Sequence, residues 1–153
     1  MIRDVDIAWL AGVFDGEGCV FVQRSRRSGN RVVYSLQLNL ANTSTALIER
    51  YISILRGIGV HSVTAVETKY GTRMICYVKV ARKRDALVLA KIILPHTTAK
   101  HSELQMAIWY LERSTKSRQH VATEQDILVL ETIRSVKHGG GIPNSIGELT
   151  RQN

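Results

Sequence analysis

The sequence predicts an α+β fold, an antiparallel four-stranded sheet packed on one face by helices. Three observations predict it. Two pairs of short segments alternate apolar and polar residues, as half-buried strands do. Each pair is joined by a turn-forming stretch, as in a hairpin. The segments between and after the pairs repeat their apolar residues at helical spacing. With 153 residues, 44% of them hydrophobic, the chain can bury the core of one domain.

The elements follow in order. Residues 5–14 read as a short helix with little polar surface, and Gly16 and Gly18 are expected to stop it. Residues 19–25, CVFVQRS, read as a strand, and RRSGNR (26–31) as a basic turn. Residues 32–40 alternate strictly: Tyr34, Leu36, Leu38 and Leu40 face one way, Ser35, Gln37 and Asn39 the other. NTST (42–45) offers helix caps, and the helix at 45–57 carries Leu47, Ile48, Tyr51, Ile52 and Leu55 on one stripe. Residues 61–69 form a third, less regular strand. A turn at Tyr70-Gly71-Thr72 leads to the strand 73–80, with Met74, Cys76, Val78 and Val80 inward and Arg73, Ile75, Tyr77 and Lys79 outward. Helices are expected over 84–94, ending before Pro95, then over 98–114 and 123–138. The domain therefore spans 1–138, and 139–153 is a hinge (HGGGIPNS) and a short tail.

Charge narrows the partners. Lys and Arg number 21 against 13 Asp and Glu, a net charge of +8 and a pI near 9.9. Such an excess favours nucleic acid, ahead of a membrane surface. No apolar run reaches the roughly 18 residues of a membrane span. MIRDVDIAW has acids where a signal peptide has a basic region and an apolar stretch. An intracellular setting is expected, cytoplasm or organelle matrix. Cys19 and Cys76 form no C-x-x-C, and the five histidines form no metal-binding pattern.

The outward sheet face carries Gln23, Ser25, Ser35, Gln37, Asn39, Arg73, Tyr77 and Lys79. A polar face can simply be solvated. This one is rich in amides, hydroxyls and Arg and poor in acids, and such side chains pair with base edges in a DNA groove. Ile75 shares that face. Arg26, Arg27, Asn30 and Arg31 at the basic turn suit phosphates.

The stretch LAGVFDGEG (10–18) combines two unusual features. Ala8, Gly12 and Gly16 recur every four residues on one helix face. Small residues there admit another backbone at contact distance. That backbone belongs either to a second copy across a two-fold axis or to a tightly packed element of the same domain. Asp15 and Glu17 lie at the negative end of the helix dipole, where carboxylates are unfavourable without a cation. Two copies meeting at their glycines would bring two Glu17 carboxylates together, an arrangement that needs metal or protons. Oxygen ligands suit Mg2+, which beside a phosphodiester activates water.

LAGVFDGEG resembles the signature of the LAGLIDADG homing endonucleases. Leu10, Ala11, Gly12, Asp15 and Gly18 match by identity, Val13 and Phe14 by type. The order helix, hairpin, helix, hairpin, helices is similar to that family's αββαββα unit. LANTSTALIERYISILRGIGV (40–60) resembles its strand-to-helix junction, and LPHTTAKHSELQMAIWYL (94–111) the stretch carrying a basic residue near the active site.

The resemblance implies a homodimer, built through the first helix, that cuts double-stranded DNA at a palindromic or near-palindromic site and is encoded in a mobile intron or intein. It implies Mg2+ as cofactor, with Mn2+ or Ca2+ able to substitute for binding. It implies Glu17 as the metal acid, where the family often has Asp, with the Gly18 carbonyl also able to touch metal. Asp15 would cap and orient the paired helices. Asn42 would position water, with Thr43 and Ser44 as rivals, and Lys100 would stabilise charge at the scissile phosphate. The competing reading is an intron RNA maturase or a non-cleaving DNA-binding regulator on the same scaffold.

Overall fold

The computed structural model describes residues 1–117 and 120–151. The chain runs α1 (Asp4–Glu17), β1 (Gly18–Arg26), β2 (Val32–Asn42), α2 (Thr45–Gly57), β3 (Val63–Tyr70), β4 (Arg73–Val80), α3 (Lys83–Ile93), α4 (His101–Ser114), α5 (Glu124–Val136) and α6 (Asn144–Arg151). The fold is α+β. The four strands form one antiparallel sheet in the order β1-β2-β4-β3.

Strand parity sets the layers. Val20 and Val22 of β1, Leu36, Leu38 and Leu40 of β2, and Val78 and Val80 of β4 are buried on the helix side. They meet Leu10 and Phe14 of α1, Tyr51 and Leu55 of α2, Leu89 and Ile93 of α3, Leu104 and Leu111 of α4, and Leu130 of α5. Burying an aliphatic side chain of this size stabilises by about 1.5–3 kcal/mol, so the alternation in sequence fixes which face is covered. The other sheet face is left open.

The β2–β4 pairing uses only residues 38–42 and 76–80. Each hairpin therefore overhangs it in the opposite direction, the β1–β2 tip one way and the β3–β4 tip the other. This offset corrects one expectation. Met74 has the inward parity, yet it is 49% exposed. It lies beyond the part of the sheet that the helices cover.

Three boundaries also differ. Helix α1 continues through Gly16 to Glu17, so Gly16 does not stop it. The Gly18 N–H donates to the Phe14 carbonyl, and the strand begins with no intervening loop. Gly18 (φ −81°) is not left-handed; it is required for space, because a Cβ there would overlap the ring and carbonyl of Phe14. At the β1–β2 tip a single 3-10 turn spans Ser28–Asn30, with Gly29 and Asn30 at positive φ (79° and 60°). In the tail α6 buries Ile146 and Thr150, and helix α6 packs on α4. Residues 152–153 of the tail lie outside the described residues.

Candidate active site and nucleic-acid interface

The site begins where α1 ends. Asp15 in its last turn accepts three backbone N–H groups: Thr98 and Ala99 at 2.9 Å on one oxygen, Lys100 at 2.8 Å on the other. These N–H groups lead into α4, and Lys100 is its N-cap residue. A helix start has orphan donors and a positive dipole end, and a carboxylate satisfies both. Burial pushes the Asp15 carboxyl up, but the three N–H donors and the Lys100 charge outweigh it, and the net pKa is below the usual carboxylate value. Asp15 thus fixes the Lys100 backbone against the end of α1, two residues from Glu17. Among the described residues the Lys100 ammonium makes no ion pair.

Glu17 is exposed at the base of an open groove of about 660 Å3 that also includes Cys19, Phe21, Gln37, Asn39, Tyr77 and Lys79. This groove is the uncovered sheet face. Register places Cys19 opposite Asn39, Phe21 opposite Gln37, and Gln23 opposite Ser35. Across β4 it sets Asn39 opposite Lys79. Gln23, Ser25, Ser35, Gln37, Asn39, Arg73, Ile75, Tyr77 and Lys79 therefore share one face. Arg26 has the opposite parity, and Arg27, Asn30 and Arg31 sit at the hairpin tip, exposed. The Asn39 Oδ1 atom is buried in this face without a hydrogen-bond partner among the described residues.

The polar segment after β2 divides its roles. Asn42 has the helix-side parity of Leu38 and Leu40, and its Oδ1 accepts the Ser44 N–H at 2.8 Å. Ser44 caps α2, its hydroxyl accepting the Leu47 N–H at 3.3 Å. Thr43 is exposed, and its hydroxyl makes no hydrogen bond among the described residues.

The pairing also supplies what periodicity could not. Thr64, Val66, Thr68 and Tyr70 of β3 lie opposite Lys79, Tyr77, Ile75 and Arg73, so they belong to the open face. The irregular pattern of 61–69 hid this; only a partner strand fixes such a register. Lys137, at the end of α5, also lines the groove. No sequence signal pointed to it, because its place depends on how α5 packs along β1.

The small residues of α1 face outward. Ala8, Gly12 and Gly16 are exposed, and a Cβ built at Gly12 or Gly16 would meet nothing within 4 Å. Among the described residues no element packs against that stripe, which argues against the tight intradomain alternative. Val5, 58% exposed, is on the same helix.

For a metal, the donor chemistry is limited. Among the described residues no group of three or more His, Cys, Asp or Glu is placed to hold an ion. The base of the groove offers the Glu17 carboxylate and the Gly18 main chain, while Asp15 is committed to its three N–H partners. Hard oxygen donors with a single free carboxylate fit Mg2+, which is commonly bound by one or two carboxylates together with substrate phosphates.

Comparison with known proteins agrees on the architecture. The LAGLIDADG-like domain family matches residues 4–94. No curated protein sequence matches the chain. Among solved structures, an archaeal intron-encoded homing endonuclease complexed with DNA superposes with TM-score 0.71 at 12% identity, covering 97% of this chain and 96% of that one. The homing endonuclease I-TnaI gives 0.62 at 14% identity, covering 98% and 99%. I-CvuI, in complex with uncleaved DNA in the presence of Mg, gives 0.63 at 15% identity, covering 97% and 91%.

Proposed function

This chain belongs to the LAGLIDADG-like domain family, and from that premise we propose that it is a divalent-metal-dependent, site-specific double-strand DNA endonuclease acting as a homodimer. The observation that carries the proposal is the open sheet face. It sets amides, Lys79 and Lys137 among apolar groups such as Cys19 and Phe21, and among the described residues its one lining acid is Glu17, two positions beyond the Asp15 that holds the start of α4.

The two hairpins, overhanging in opposite directions, provide a long surface for one DNA half-site. Amides, hydroxyls and Arg on that surface reach base edges, while Arg27 and Arg31 at the tip meet phosphates. The unpartnered Asn39 Oδ1 is an acceptor that a base amine would satisfy; left unmet, a buried acceptor costs about 1–3 kcal/mol. The α1 glycine stripe docks a second copy of α1, setting two Glu17 carboxylates over the same stretch of DNA. Glu17 and Gly18 would hold the cation. When bound, that cation supplies Lewis-acid stabilisation of the phosphate and a lowered pKa for water. Lys100, its backbone fixed by Asp15, would supply an ammonium to stabilise charge developing on the leaving oxygen. Thr43 is the better candidate to hold the attacking water, because its exposed hydroxyl has no hydrogen bond among the described residues, whereas Ser44 already accepts the Leu47 N–H and Asn42 the Ser44 N–H. An intron or intein origin fits the enzyme class of the superposable structures.

The test is a plasmid carrying the uninterrupted insertion site, incubated with purified protein in Mg2+ and then in EDTA. Linearisation in Mg2+ only, lost in Glu17→Gln, is expected. Tight binding with no cutting in either condition would leave a DNA-binding regulator in its place. Gly12→Leu tests the dimer: it should run near the monomer mass of 17.1 kDa with its fold intact, since a Cβ there meets nothing within 4 Å among the described residues.

A further inference from the structure

We propose that Lys137 is a phosphate-contacting residue of the DNA groove, held in place by Phe21; the inference rests on the reading of the open face as a DNA-binding surface.

Four observations carry it. The Lys137 Nζ stands 4.9 Å from the centroid of the Phe21 ring. Phe21 is on the open face, opposite Gln37, so the ammonium is folded over the sheet edge onto the groove side rather than away into solvent. The same groove is lined by Glu17, Asn39 and Lys79. Among the described residues Lys137 makes no ion pair, so its charge is unspent.

The position explains what such a charge can do. Strand β1 is an edge of the sheet, and α5 packs along it. A duplex lying on the sheet presents base edges to the floor and its phosphate backbones to the rims. A cation at the rim therefore meets a phosphate, not a base, and contributes affinity without sequence preference. The aromatic face beneath it attracts the ammonium and reduces the rotamer freedom that a solvated lysine would lose on binding. The C-terminal end of α5 is also the negative end of its dipole, a favourable place for a cation. Among the described residues Glu17 is the one carboxylate lining this groove, which it shares with Lys79 and Lys137.

The experiment is duplex binding in EDTA, followed by fluorescence anisotropy with a short DNA of arbitrary sequence over a series of KCl concentrations. One lost phosphate contact lowers the slope of log K against log salt by about 0.9 per protomer. Lys137→Met is expected to show that loss, and Lys137→Arg to retain the wild-type slope. Phe21→Leu should weaken binding at every salt concentration while keeping the slope, because the charge remains and only its placement is lost. Lys91→Met, which removes an ion pair with Glu112 on the helix side, should change neither. A Lys137→Met protein with the wild-type slope overturns the inference and leaves the proposed function standing. Wild-type protein that fails to bind duplex DNA overturns both.

Discussion

The two ends of α4 are secured by the same kind of group in different company. At its N-terminal end, Asp15 of α1 accepts three backbone N–H groups. At its C-terminal end, Asp126 of α5 is fully enclosed and binds the Arg113 side chain at 3.0 Å, His120 Nε2 at 3.0 Å and the Thr123 N–H at 2.8 Å. Asp126 thus closes its own circuit: side-chain partners match its charge, and the Thr123 capping box starts α5. Asp15 accepts hydrogen bonds from main chain alone, and among the described residues the side chains beside it, Lys100 and Glu17, make no ion pair. One carboxylate ties two helices together for stability. The other ties two helices together through main-chain donors, beside the groups proposed to act on DNA.

The largest effect expected from breaking this contrast is on stability, at Asp126. Asp126→Ala leaves Arg113 and His120 facing a site without its anion. Removing one partner of a buried pair costs several kcal/mol; with Arg113 partly exposed, about 3 kcal/mol is expected, read as a lower urea midpoint. Cleavage per folded molecule should hardly change. A cost smaller than that of the Asp15 substitution would reverse the assignment of roles.

Asp15→Asn comes next. An amide oxygen can replace at most part of a carboxylate that bridges three donors, so about 1–2 kcal/mol is expected. The pH dependence separates charge from shape. The folded-state pKa of Asp15 is lowered, so its stabilisation is complete above the unfolded value of about 3.9. It is lost as pH falls through the lower folded value. Urea midpoints of wild type and Asp15→Asn should therefore differ at neutral pH and converge at strongly acid pH. Here, unlike at Asp126, cleavage should fall further than stability, since Lys100 is released as well.

These differences show what sequence could encode. The helix and strand order and the open-face parity of β1, β2 and β4 were legible, because alternation is local and one face must be buried. The α1 motif was legible by its residues. The partners of Asp15 were not: they lie 83 to 85 positions away, and nothing near Asp15 names them. Met74 followed the inward alternation of β4 but projects past the helices, an outcome of sheet offset rather than of its own strand. The capping role of Ser44 and the turn made by Asn42 depend on single hydrogen bonds, so the choice among residues 42–44 was open in sequence. Lys137 is invisible for the same reason as the Asp15 contact: α5 reaches β1 only in three dimensions.

Lys100 gives the smallest stability effect and the sharpest form of the comparison. Its backbone serves the fold, donating to Asp15 and accepting from the Leu104 N–H at 2.9 Å. Its ammonium adds only a Coulombic pull on Asp15 and makes no ion pair among the described residues. Lys100→Met preserves every backbone contact, so its urea midpoint should match wild type within about 0.5 kcal/mol. If the ammonium stabilises charge in the transition state, the cleavage rate in saturating Mg2+ should nevertheless drop at least tenfold, or about 1.4 kcal/mol of barrier. Binding in EDTA to the same DNA should weaken far less. A variant that loses stability and activity together would make Lys100 another structural tie like Asp126, and the functional end of α4 would then have to be sought in Glu17 and Thr43 alone.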